Sequence, residues 1–108
     1  MDLTRDDLRA TKATIKRLYG RPARVLLAAW LLTQDVAVNL GDAQLAMLTE
    51  FAIPMSATAA ELRVLASEGL LVETSVSNRV FFSLTRESPH WDAFRSIADV
   101  LGLSVSGA

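Results

Sequence analysis

The stretch Ser56-Ala-Thr-Ala-Ala-Glu-Leu-Arg-Val-Leu-Ala-Ser-Glu-Gly69, continuing as Leu70-Leu-Val-Glu-Thr-Ser-Val76, Ser77-Asn78 and Arg79-Val-Phe-Phe-Ser-Leu84, changes its period in the middle. Before Gly69 the leucines 62 and 65 recur at helical spacing, which predicts a helix over about 56–67 with Leu62 and Leu65 turned inward. Ser56 or Thr58 is placed to cap it, and Thr58 to Glu61 has capping-box spacing. Gly69 supplies the left-handed residue that ends such a helix. After it, Val72, Thr74 and Val76 alternate with Glu73 and Ser75, and Val80, Phe82 and Leu84 alternate with Phe81 and Ser83. Period-2 runs on either side of Ser77-Asn78 predict a two-stranded hairpin over about 72–84.

Working outward, Gly41-Asp42 reads as a turn and a cap, with Asp42 accepting the first amides of a short helix over 43–51 that buries Leu45 and Leu48. Ile53-Pro54 breaks that helix, since proline disfavours helical backbone at the residue before it. Val36, Val38 and Leu40 alternate as a short extended segment. Further upstream, Arg21-Pro22 opens a helix to about Thr33 that is apolar nearly all round, and hence central, with Trp30 supplying large buried area. Thr4 to Tyr19 is an amphipathic helix stopped by Gly20, with Leu8, Ile15, Leu18 and Tyr19 on one arc and Arg5, Arg9, Lys12 and Lys16 on an adjoining stripe. Downstream, Ser88-Pro89 starts a helix with the apolar stripe Trp91, Phe94, Ile97 or Ala98, and Leu101, stopped by Gly102. The organisation is one domain: an N-terminal helix over 1–20, a core over 21–86, a C-terminal helix over 87–102 and a tail over 103–108.

Composition removes several classes of function. With 108 residues, 51% of them hydrophobic and 21% charged, the chain is globular rather than disordered. The absence of cysteine excludes disulfide scaffolds, thiolate zinc sites and thiol-based sensing. A single histidine, His90, is too few for an imidazole-rich metal site, so no metal or cofactor is expected. No Gly-rich phosphate loop, nucleophile elbow or Ser-His-Asp set is present, and no enzymatic activity is expected. The apolar run Val25–Leu32 spans eight residues, far short of the ~20 needed to cross a bilayer, and it begins too late for a signal peptide. A cytoplasmic chain without membrane contact is expected. The net charge of −1 conceals an uneven distribution: +4 through Arg24 and −5 beyond it. That balance excludes nucleic-acid binding by bulk charge while leaving room for a local basic surface.

The order helix, helix, short helix, break, helix, glycine, hairpin, helix is that of a winged helix-turn-helix, mainly α within an α+β class. Glu61-Leu-Arg-Val-Leu-Ala-Ser-Glu-Gly-Leu-Leu71 and Asn78-Arg-Val-Phe-Phe-Ser-Leu-Thr85 resemble the recognition-helix end and wing of ArsR-type and MarR-type transcriptional regulators. Gln44-Leu-Ala46 is similar to that family's first helix of the turn motif, and Arg24-Val-Leu-Leu27 to its preceding core helix. The resemblance covers Arg21 to Thr85, and Pro89 to Leu101 more loosely. Two departures stand out: Leu45 and Leu62 are further apart than the family pattern, and the recognition helix is alanine-rich with one basic residue.

The resemblance implies a homodimer on double-stranded operator DNA, with the helix over 56–67 in the major groove and the hairpin on the backbone. Short or polar residues available to base edges are Ser56, Thr58, Ala59, Glu61 and Arg63, with Glu61 paired to Arg63 or aimed at cytosine. The wing contributes Ser75, Ser77, Asn78 and Arg79, the last being its one cation. Leu8, Ile15, Trp91, Phe94, Ile97 and Leu101 are the expected dimer interface. Trp30, Phe81 and Phe82 read as core or dimer interface rather than as a ligand pocket or a base-stacking platform. An assembly module docking another protein through the alanine-rich helix is the alternative, and neither the operator nor any small-molecule effector is specified.

Overall fold

In a computed structural model, residues 16–103 are described continuously, together with Asp6, Ala10 and Ala13. The expected contacts of Arg5, Leu8, Arg9, Lys12 and Ile15, and the tail over 104–108, lie outside the described residues. Residues 16–19 are helical and stop at Gly20. The elements that follow are α1 (Pro22–Leu31), β1 (Val38–Asn39), α2 (Leu40–Phe51), α3 (Met55–Ser67), β2 (Leu71–Val76), β3 (Arg79–Leu84) and α4 (His90–Val100). The class is mixed helix and strand.

The hairpin forms where the alternation placed it, with Val76 opposite Arg79, Thr74 opposite Phe81 and Leu71 opposite Leu84. Ser77 and Asn78 take φ of 50° and 66°, the paired left-handed geometry of a tight hairpin turn whose twist matches that of the strands. The sheet has three strands rather than the expected two. β1 pairs antiparallel with β3, Val38 opposite Phe82 and Asn39 opposite Phe81, giving the order β1-β3-β2. Central β3 buries Phe82.

Helix ends depart from expectation for local reasons. The cap of α2 is Asn39, not Asp42: its Oδ1 accepts from the Gly41 amide at 2.8 Å, so Gly41 and Asp42 lie inside the first turn. There the Asp42 carboxylate meets the positive end of the helix dipole. Neither Ser56 nor Thr58 caps α3, because the helix starts at Met55 behind Pro54 and both residues are already in its first turns. At its other end Gly69 has φ +83°, and the Leu70 amide donates to the Leu65 carbonyl at 2.9 Å, which closes the last turn. α1 ends at Leu31, short of Thr33, whose hydroxyl donates to the Trp30 carbonyl at 2.6 Å in competition with further helix. Before α4, Ser88 Oγ accepts from the His90 amide at 3.4 Å.

One apolar cluster ties these elements together, including Leu18, Leu27, Leu31, Met47, Leu62, Leu65, Leu70, Phe82, Trp91 and Phe94. α2 contributes Ala43 and Met47, whereas Leu45 and Leu48 point outward, reversing the expected orientation. Among the described residues no helix is long and apolar enough to cross a membrane.

Candidate nucleic-acid interface

α3 presents two faces. Thr58, Glu61, Leu62 and Leu65 point inward. On the outward side Ser56, Ala60, Arg63 and Ser67 follow one another at helical intervals and are all exposed, with Ala59 half-buried beside them. Of the five candidate reading residues, Ser56 and Arg63 are therefore available and Ala59 is partly so. Thr58 and Glu61, with 1% and 4% of their surface exposed, are corrected to interior positions. Ala60 and Ser67 were missed. They lie opposite Leu62 and Leu65 in the 3.6-residue period, so the spacing alone could have supplied them.

Glu61 has a specific interior role. One carboxylate oxygen accepts from Arg24 Nε of α1, and the other lies 3.2 Å from Arg21 Nε. Arg24 is itself buried, while Arg21 is largely exposed. Glu61 pairs with neither Arg63 nor solvent. A carboxylate and a guanidinium withdrawn from water together depend on each other, since either one alone would be an uncompensated buried charge. Arg24 Nη1 and Thr58 Oγ1 have no hydrogen-bond partner in this interior layer. A second contact binds the end of α3 to the leading helix: Arg17 Nε lies 2.5 Å from Glu68 Oε1.

The hairpin leaves Ser75, Ser77, Asn78 and Arg79 exposed, as the sequence placed them. β2 also exposes Val72, Glu73 and Val76, so its surface mixes one cation at the turn with one acid and two valines. No acid occupies the first turn of α3, so no carboxylate of its own offsets the positive end of the helix dipole.

The C-terminal helix divides in the same way as α3. Trp91 and Phe94 are buried within their own chain, which corrects their expected place in a subunit interface. Trp91 Nε1 donates to the Leu70 carbonyl at 2.9 Å, and Phe94 packs its ring 4.9 Å from Tyr19 and 6.0 Å from Trp91. The Tyr19 hydroxyl lies 2.6 Å from His90 Nδ1 and donates to it when the imidazole carries its proton on Nε2. Burial raises the Tyr19 phenol above its ordinary 10.0. Ile97 and Leu101 lie elsewhere: with Tyr19, Gly20, Pro22, Val25 and Leu26 they line an open apolar groove of about 380 Å³.

Among the described residues no group of three or more His, Asp or Glu side chains could hold a metal ion. Compared with known proteins, the chain matches no family model, no curated protein and no solved structure.

Proposed function

We propose that this chain is a winged helix-turn-helix regulator that binds double-stranded DNA as a homodimer. One observation carries the reading: a thirteen-residue helix, packed by Leu62 and Leu65, turns an unobstructed stripe of small, polar and cationic side chains to solvent. Ala60 lets the backbone come close to a groove, Ser56 and Ser67 offer hydroxyls to phosphate or base edges, and Arg63 is the bidentate donor suited to guanine. α2, the Ala52–Pro54 turn and α3 make up the helix-turn-helix. The hairpin is the wing, with Asn78 and Arg79 following the adjacent backbone. Among the described residues, Ile97 and Leu101, which line the groove against α1, are the part of the expected interface left for a second copy. A two-fold arrangement would set the two reading helices about 34 Å apart, one turn of duplex.

Salt dependence tests this directly. If each protomer places about three cations, Arg79 among them, on phosphates, a dimer neutralises about six, and affinity falls about 10³-fold between roughly 50 and 200 mM salt. Duplex binding that is absent or insensitive to salt contradicts the proposal. A second reading draws on a different observation: Leu45, Leu48 and Met55 stand 55%, 43% and 42% exposed along α2 and the start of α3. Three neighbouring apolar side chains suit a protein partner, and a domain that docks proteins through this face would not select DNA.

A further inference from the structure

A cavity of about 510 Å³, apart from both α3 and the hairpin, lies where three helices end. Ala29, Trp30, Thr33 and Gln34 come from the end of α1, Glu50 and Phe51 from the end of α2, and Gly102 and Leu103 from just beyond α4. Each helix brings the negative end of its dipole, although several last carbonyls are already bonded, those of Trp30 and Leu31 accepting from the Thr33 and Gln34 amides. None of the three has a basic residue in its last turn. Glu50 adds a full negative charge, and among the described residues it has no ion-pair partner. Arg86 is not among the lining residues, and its Nη2 donates to the Gln34 carbonyl at 3.2 Å.

We propose that this cavity binds an amphipathic organic cation: a quaternary or protonated amine carrying an apolar or aromatic group. Two aromatic residues, Trp30 and Phe51, line the wall, and the quadrupole of such rings attracts a weakly hydrated cation. Glu50 and the helix ends supply the opposing charge. Ala29 and Leu103 enclose the apolar part, and the volume lies within the roughly 300–1,000 Å³ typical of small-molecule sites. A hard divalent ion does not suit this wall, which has one carboxylate where about six oxygen ligands are needed. An anion would meet the Glu50 carboxylate and the negative ends of the helices. The site stands whether or not the chain binds DNA.

The test is a titration of the ¹⁵N-labelled full chain with benzyltrimethylammonium, neutral benzyl alcohol and anionic phenylacetate, which share a benzyl group and differ in charge. The Trp30 indole N–H reports the cavity. The Trp91 indole, bonded to the Leu70 carbonyl in the core, reports the fold. The expected result is a saturable shift of the Trp30 signal with the cation, a weaker response to the alcohol and none to phenylacetate, while Trp91 stays in place. Glu50→Gln raises the apparent Kd about fivefold, the loss of one full charge at contact distance in water, and Glu50→Lys abolishes the shift. The unmoved Trp91 signal establishes that each variant is folded. Equal response to the alcohol, no Trp30 response to the cation, or an unchanged Kd in Glu50→Gln overturns the proposal.

Discussion

The two faces of α3 carry side chains of similar polarity and put them to opposite uses. Inward, Glu61 and Thr58 are sealed in the layer against α1, with Glu61 held by Arg24 and Arg21. Outward, two residues beyond Glu61, Arg63 is exposed and has no ion-pair partner among the described residues. A charged residue on a candidate reading helix thus says nothing about reading until its position in the helical period is known. α4 teaches the same lesson with apolar residues: Trp91 and Phe94 belong to the core, while Leu101, seven residues beyond Phe94, remains open.

The strongest way to break this division is to truncate an inward residue. Glu61→Ala leaves Arg24 buried without its counter-charge, and urea unfolding is expected to show a loss of about 3–5 kcal/mol. If Glu61 instead faced DNA, stability would change by no more than about 0.5 kcal/mol, as at an ordinary surface site. On α4, Phe94→Ala is expected to cost a similar ~3–5 kcal/mol of stability by opening a cavity. Leu101→Asp, at the cap just past that helix, is expected to leave stability intact and to weaken self-association by about 1–2 kcal/mol, read by sedimentation. Sedimentation unchanged by Leu101→Asp would remove the groove beside α1 from the interface.

A smaller effect sharpens the same contrast through pH. The Tyr19 phenol, raised by burial, holds its proton in the folded state above the ordinary value of 10.0, where the unfolded chain has lost it. Its contribution is therefore complete below pH 10 and disappears as pH rises through the folded-state value. Tyr19→Phe should flatten the fall in stability above that pH in alkaline unfolding curves; an identical slope in the variant would contradict the assignment.

The hairpin and the end of α3 were legible because their signals are local: alternation over six residues a side, a two-residue turn, and a glycine at a left-handed position. The extended segment around Val38 was legible too, but its place as a third strand was not, because β1 is two residues long and its partner β3 lies more than forty residues away. α2 was read with the wrong face inward because Leu40, Ala43, Leu45, Ala46, Met47, Leu48 and Phe51 surround the helix, so its period selects no side. The Arg24–Glu61 pair joins residues 37 apart in sequence, and no spacing rule connects them. Trp91 and Phe94 did lie on an apolar stripe, but such a stripe does not say whether its cover is the same chain or another.

Selection of bound duplexes from a random oligonucleotide pool tests the outward face of α3 most directly, with Arg63→Ala and Arg79→Ala run beside the parent chain. The account predicts a two-fold symmetric enriched motif, altered at defined positions by Arg63→Ala, and a uniform loss of affinity without a change of motif in Arg79→Ala. A pool that stays unenriched, or a motif that Arg63→Ala leaves unchanged at equal affinity, contradicts it.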